Sequence, residues 1–143
     1  MRKNLIYKLV ILLVLVTVLI LEFLPNGVVL NFSNQGSDDL IRRTYSYFSL
    51  TPFGYANFGP LLTGIVTILL MILMVIFIFK DNVKIFNFIK TASIIGVIFS
   101  LMPLLLGINY FSLIGLVISV LLLIIGILVF LYKKFVDDNK IQN

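Results

Sequence analysis

The chain has 143 residues, of which 61% are hydrophobic and 12% are charged, with eleven basic residues against six acidic ones. A soluble domain of this length could not hide so much apolar surface, because small domains leave a large share of their surface in water. The chain has no Cys and no His, which excludes disulfides and removes the commonest metal ligands and general bases, so we assign no catalytic, cofactor-binding or metal-binding residue and expect no enzyme.

Four long apolar stretches predict an all-α bundle of four transmembrane helices in a single membrane domain, residues 1–143. Each stretch is close to the ~20 residues with which an α-helix crosses a ~30 Å hydrocarbon core. The helices are expected at about 6–24, 60–80, 90–108 and 110–132, with one structured loop at 25–59.

The first helix carries a carboxylate, Glu22, which is the one acidic residue inside an apolar stretch. The run Leu9–Leu24 would span only about 24 Å, so we expect the helix to begin earlier, with Lys8 snorkelling. Glu22 then lies near the outer membrane boundary. It is either a headgroup-level carboxylate, free or paired with Arg42 or Arg43, or a functional carboxylate that binds a proton or cation.

The long loop contains a helix-like pattern. The segment Ser37-Asp38-Asp39 resembles a helix start, with a capping Ser and acidic residues in the first turn. Leu40, Thr44 and Phe48 then recur at a spacing of four residues. The pattern predicts a short amphipathic helix from Asp38 to Phe48 that lies along the outer membrane face.

The same loop is rich in aromatic and basic side chains. They form either an interfacial aromatic belt with Tyr hydroxyls among the headgroups or a recognition surface over the bundle. The candidate surface residues are Arg42, Arg43, Tyr45, Tyr47, Phe53 and Tyr55.

Turn and cap residues separate the remaining helices. Pro60 suits the first turn of the second helix, where a missing N–H costs nothing. Residues 82–90 form a short cytoplasmic segment that could lie in the membrane interface. Gly107-Ile108-Asn109 predicts a tight outer turn, so the third and fourth helices should be antiparallel neighbours.

Small residues recur in these last two helices, and the second set is the first displaced by nineteen residues. The hydrophobic driving force between helices is weak in lipid, so helices are held together mainly by close packing and hydrogen bonds. Gly and Ser allow that close approach. A packing seam and an inverted repeat of the transporter type both fit the pattern. The seam residues are Ser93, Gly96, Ser100, Gly107, Ser112, Gly115, Ser119 and Gly126. Pro103 predicts a kink in the third helix.

The positive charges predict the orientation. Nine of the eleven basic residues precede the first stretch, separate the second from the third, or follow the fourth, whereas Arg42 and Arg43 lie in the long loop. Lys and Arg are retained on the cytoplasmic side, so both termini should be inside and the loop outside. A composition rich in Ile, Leu, Phe, Asn and Lys resembles coding from an AT-rich bacterial genome, and we expect the bacterial plasma membrane.

Two functions fit this layout. The first is a non-enzymatic accessory or interaction protein whose partners are the lipid bilayer and another membrane protein or a second copy, not nucleic acid. The alternative is a small oligomeric transporter or channel, with a polar path built from Glu22, Thr63, Thr67, Ser93, Ser100, Ser112 and Ser119. The layout is broadly similar to that of claudin-like tetraspan proteins, but the Trp and paired Cys of claudin loops are absent, and the likeness implies no function.

Overall fold

A computed structural model shows four long helices with a two-stranded sheet at one end of the bundle. It describes the backbone of residues 2–33, 40–50 and 54–141, and the side chains of 4–33, 40–50, 54 and 56–134. The elements are α1 (Arg2–Phe23), β1 (Val28–Ser33), β2 (Leu40–Tyr45), α2 (Tyr55–Phe79), α3 (Val83–Leu106), a single 3-10 turn (Ile108–Tyr110) and α4 (Leu113–Ile141). All four helices are long and apolar enough to cross a membrane, which confirms the four expected apolar helices.

The helices contact one another in the ring order α1–α2–α3–α4, and α4 closes the ring against α1. Their shared interior is apolar, and its fully buried members include Leu15, Val18, Leu70, Met74, Ile118, Leu122 and Ile125. Only 22–33% of each candidate span is buried inside the bundle. The other positions are half-buried or exposed, and many large apolar side chains face outward, as expected when the surrounding solvent is hydrocarbon.

The strands form an antiparallel hairpin in which Val28 pairs with Tyr45 and Ser33 pairs with Leu40. The end of the bundle that carries it is called the hairpin end, and the opposite end is called the basic end. The predicted amphipathic helix is therefore wrong over β2, while Asp38 lies outside the described residues. The four-residue spacing fitted a helix, but β-branched and aromatic residues such as Ile41, Thr44 and Tyr45 also suit a strand, and pairing with β1 decides the outcome.

The helices extend beyond the apolar stretches. Helix α2 begins at Tyr55, so Pro60 lies beyond its first turn. Asn82 caps α3, and its side-chain oxygen accepts a hydrogen bond from the Lys84 backbone N–H at 2.8 Å. Residues 82–90 are therefore the start of α3, not a separate interfacial segment. Polar residues here continue the helix because the backbone hydrogen bonds and the cap remain favourable outside the apolar stretch.

At the basic end, Lys8 does not extend to solvent as the sequence suggested. Its side chain is buried, and Nζ donates hydrogen bonds to the Phe77 carbonyl at 3.1 Å and to Asp81 Oδ1 at 2.9 Å. Nζ also lies 4.2 Å from the centroid of the Phe77 ring. The rings of Phe77, Phe86 and Tyr132 contact one another with centroids 5.6–5.9 Å apart. A paired cation and an aromatic cluster therefore close this end.

Near the hairpin end, α2 and α3 approach closely at Gly59. An added Cβ there would lie 2.7 Å from the Met102 Cβ and 3.2 Å from the Phe99 carbonyl oxygen. Pro103 lies inside α3 and has no N–H to donate to that carbonyl. The absence of a side chain at Gly59 thus lets α2 lie against the proline-modified turn of α3.

We expect Gly59→Ala to destabilise the bundle by about 1–3 kcal/mol through overpacking. Gly126→Ala is the matched control, because an added Cβ there meets no atom within 4 Å. Both changes improve helix propensity by about 1 kcal/mol, so the difference between the two variants isolates packing. Thermal unfolding in detergent micelles measures it, and equal melting temperatures for the two variants would contradict the close approach.

Candidate functional site

A cluster of buried polar groups lies where the hairpin meets the helices. Its members are Glu22 of α1, Gly27 and Tyr47 of the loop, Thr67 of α2 and Ser112 before α4; we call it the polar cluster. Four of these five residues have a side chain, and each of the four is at most 6% exposed. The cluster therefore ties three helices and the hairpin together inside the protein.

Glu22 is 0% exposed, so its side chain is enclosed by the protein and does not lie open to lipid headgroups. Its Oε1 accepts a hydrogen bond from the Thr67 hydroxyl at 2.8 Å. Arg42 and Arg43 are both exposed, and neither forms an ion pair with Glu22. The ion pair among the described residues joins Lys8 and Asp81 at the basic end. Glu22 follows Leu15 and Val18 at helical spacing, and this periodicity turns it toward the core.

The hydrogen bonds around Thr67 bear on the state of this carboxyl group. The single hydroxyl proton of Thr67 has two acceptors within reach, Glu22 Oε1 and the Thr63 carbonyl at 3.0 Å. Glu22 Oε2 has no hydrogen-bond partner within the described part of the chain. A protonated Glu22 would donate to Thr67 and leave the Thr67 proton for Thr63. The Glu22 carboxyl group would then carry no charge, and its unpaired Oε2 would be far less costly to bury than a charged oxygen.

Tyr47 closes the cluster from the hairpin side. Its backbone N–H donates to the Glu22 carbonyl at 3.0 Å, and its side chain is 2% exposed. An added Cβ at Gly27 would lie 2.8 Å from the Tyr47 ring, so the ring occupies the place of a side chain. Burial raises the pKa of the Tyr47 phenol well above its usual range. Tyr47 is thus an interior residue, not part of the expected surface.

Ser112 connects the start of α4 to the same cluster. Its hydroxyl donates to the Gly27 carbonyl and accepts a hydrogen bond from the Gly115 backbone N–H at 2.7 Å. The second bond is the usual N-cap arrangement, which satisfies an otherwise unpaired amide. Gly115, predicted to lie on the seam with α3, instead faces the loop, since an added Cβ would lie 3.4 Å from the Gly27 carbonyl oxygen.

The predicted seam is only partly an interface between α3 and α4. Ser119 does bridge the two helices, because its hydroxyl reaches the Ser100 carbonyl at 3.2 Å and the Gly115 carbonyl at 2.9 Å. The hydroxyls of Ser93 and Ser100 bond to carbonyls in their own helix. The nineteen-residue displacement therefore brings one pair, Ser100 and Ser119, into direct contact by hydrogen bonding.

The seam glycines have three different surroundings. Gly96 faces both α2 and α4, because an added Cβ would lie 3.4 Å from Val66 and 3.9 Å from Leu122. Gly107 ends α3 with φ +124°, a conformation that favours glycine. Gly126 borders open space. One sequence pattern therefore serves a helix contact, a turn and a surface groove.

The outward surface at the hairpin end is β2. Residues 40–44 are all exposed, with Leu40 at 65% and Ile41 at 42% exposure. The first three residues of β1 are buried. Of the other aromatic candidates, Tyr45 is half-buried, while Phe53 and the side chain of Tyr55 lie outside the described residues. The candidate surface is therefore a strand with two apolar and two basic residues in succession.

Three close glycine contacts were missed by the sequence reasoning. Besides Gly27 and Gly59, Gly64 of α2 admits the Phe48 ring, which would lie 2.7 Å from an added Cβ. A signal was present, because Gly59, Thr63 and Thr67 recur every four residues on one face of α2. In this stripe Gly59 meets α3 and Thr67 meets Glu22 of α1, whereas Gly64, which meets the loop, lies one residue away from it.

Comparison with protein-family models, curated proteins and solved structures found no match to this chain. In the described ranges, no group of three His, Cys, Asp or Glu side chains could hold a metal ion. The function therefore has to be argued from the geometry of the polar cluster and of the exposed strand.

We expect Glu22→Gln to leave the melting temperature in detergent close to that of the unchanged protein, because an amide keeps the shape and hydrogen bonding of a neutral carboxyl. Glu22→Ala should cost about 1–3 kcal/mol, since it opens a cavity and removes a partner of Thr67. Thr17→Ala on the exposed face of α1 is the control and should have little effect. If Gln destabilises as much as Ala, the negative charge itself is required.

Proposed function

We propose that this chain is a non-enzymatic, multi-pass interaction protein that binds an acidic extracytoplasmic segment of another membrane protein through β2. The observation that carries the proposal is the contrast between the two strands: β1 is buried at Val28, Val29 and Leu30, while β2 is exposed from Leu40 to Thr44. A hairpin anchored on one strand presents the other to its surroundings.

The orientation proposed for the bundle follows from its charges. The nine basic residues outside the hairpin fall at or near the basic end or in the α4 tail, and two lie on β2. The retention of Lys and Arg on the cytoplasmic side supports a cytoplasmic basic end, both termini inside, and an exposed hairpin outside a bacterial plasma membrane.

The chemistry of β2 supports the choice of partner. It is one edge of a two-stranded sheet, so its outward backbone N–H and C=O groups have no strand partner among the described residues and can pair with an added strand. Such strand addition obtains affinity from main-chain hydrogen bonds and specificity from side chains. Arg42 and Arg43 complement carboxylates, with which arginine forms strong two-point contacts. Leu40 and Ile41 add apolar contact beside them.

The bundle interior argues against a polar path through one copy of the chain. Between the polar cluster and the basic end, the buried side chains include Leu15, Leu70, Met74 and Leu122. The hydroxyls of Ser93 and Ser100 already bond to carbonyls of their own helix. The second candidate, a small oligomeric transporter, is favoured by one observation: Oε2 of the buried Glu22 has no partner in the described structure.

The orientation is tested by labelling single introduced cysteines. The chain has no cysteine of its own, so no other residue of the protein reacts with the reagent. Cysteine at Thr44 or Asn109, both exposed near the hairpin end, should react with an impermeant thiol reagent on intact cells. Cysteine at the exposed Asn82 should react only after the membrane is permeabilised. Labelling of Asn82 on intact cells would reverse the proposed orientation.

The interaction is tested with a photo-crosslinking amino acid at Ile41. We expect one membrane partner to be crosslinked through an acidic segment, with at least a tenfold loss when Arg42→Glu and Arg43→Glu are combined. Lys84→Glu, an exposed basic position at the opposite end, is the control and should retain the crosslink. Unchanged capture after the double charge reversal, or capture of a second copy, would overturn the proposed partner.

The transporter is distinguished in liposomes that contain the purified chain alone. The interaction protein should give no proton- or cation-dependent flux. Flux that is present in the unchanged chain and lost in a stably folded Glu22→Gln variant would replace the proposed function with the alternative.

A further inference from the structure

An apolar groove lies between α3 and α4 on the outward face of the bundle, toward the basic end. Its lining includes Ser93 and Val97 of α3 and Gly126 and Phe130 of α4, and its volume is about 330 Å³. The groove is open at Gly126, because glycine has no side chain and a Cβ added there would meet no atom within 4 Å. Protein interiors are close-packed, so this space marks a surface that the chain itself does not fill.

The groove ends at a group of cations. Lys90 is half-buried, and its Nζ lies 5.5 Å from the centroid of the Phe130 ring. Lys133 and Lys134 follow Phe130 by three and four residues, which places them on the same helical face, and both are exposed. The described acidic side chains are Glu22, which is buried at the hairpin end, and Asp81, which pairs with Lys8. No described carboxylate therefore neutralises these lysines.

We propose that this groove binds an anionic phospholipid, with the phosphate at Lys90 and Lys134 and an acyl chain against Gly126. Basic pockets between transmembrane helices on the cytoplasmic side are suited to acidic headgroups. The groove and the lysine group lie together on one face of the bundle, so one molecule with a charged head and an apolar tail matches both.

The length of the groove also fits a lipid. Along α4 the lining runs from Leu123 to Phe130, a rise of about 10 Å. One leaflet is half of the ~30 Å hydrocarbon core, or about 15 Å. The groove therefore covers about two thirds of the depth of one leaflet, enough for much of an acyl chain, whereas a partner helix would cross both leaflets. The site is separate from the hairpin, so it does not depend on the partner proposed for β2.

The test compares phosphatidylglycerol with phosphatidylcholine of the same acyl chains, added to the full chain in detergent micelles. Native mass spectrometry counts bound lipids, and thermal unfolding measures stabilisation. We expect at least tenfold preferential retention of phosphatidylglycerol and an increase in melting temperature with that lipid only. Sodium phosphate at the same phosphate concentration should neither stabilise the protein nor displace the lipid.

Two variants examine the two halves of the site. Gly126→Leu fills the groove without altering charge, and Lys90→Ala removes the cation from its end; each should reduce retention of phosphatidylglycerol about tenfold. Lys84→Ala is the matched control, because Lys84 is exposed on the same helix but, six residues from Lys90, points to a different face. It should retain the lipid fully, and circular dichroism confirms that each variant is helical.

Three results would overturn the proposal. Equal retention of the two lipids would show that the headgroup is not recognised. Equal retention by the Lys90→Ala and Lys84→Ala variants would remove Lys90 from the site. Efficient disulfide formation between Gly126→Cys chains in phosphatidylglycerol bilayers would show that a second copy, and not a lipid, occupies the groove.

Discussion

The polar groups buried in this bundle depend on partners within the protein, because hydrocarbon supplies none. The hairpin end depends on this constraint most strongly. There the Glu22 side chain meets Thr67, the Glu22 carbonyl meets the Tyr47 amide, and Ser112 joins the Gly27 carbonyl to α4. These bonds satisfy atoms that would otherwise be costly to bury, and they hold the hairpin in one position on the helices.

Close approach at glycines complements these hydrogen bonds. The Tyr47 ring lies against Gly27, the Phe48 ring lies against Gly64, and the Met102 turn lies against Gly59. Without a strong hydrophobic drive between helices in lipid, such contacts supply much of the packing energy. The loop, α2 and α3 therefore pack against one another in the same way: an aromatic or apolar side chain occupies the space beside a glycine.

The two ends of the bundle present different chemistry to their surroundings. The hairpin end offers a strand edge with Arg42 and Arg43, above an interior that is closed by the polar cluster. The basic end is closed by Lys8, Asp81 and an aromatic cluster, and it carries a lysine group beside an apolar groove. Recognition of an acidic protein segment and of an acidic lipid are both consistent with this separation, because neither needs a polar path through the core.

The hydropathy of the chain was sufficient to determine four long apolar helices, since the ~20-residue length needed to span hydrocarbon is a local property of the sequence. The charge distribution likewise predicts an orientation without tertiary information. The seam was predicted in part: Ser119 contacts Ser100, and Gly126 lines the groove between α3 and α4, whereas Gly115 faces the loop. A periodic pattern identifies a helix face, but it does not say which neighbour that face meets.

Only the tertiary structure decided the nature of the loop and the position of Glu22. Leu40, Thr44 and Phe48 suit one face of a helix by spacing, yet Leu40–Tyr45 pairs with β1, a contact that depends on residues far along the chain. Glu22 could be assigned to the headgroup boundary from its distance along α1. Its burial depended on the Tyr47 loop and α2 covering that turn, because burial is a property of the assembled contacts and not of sequence position.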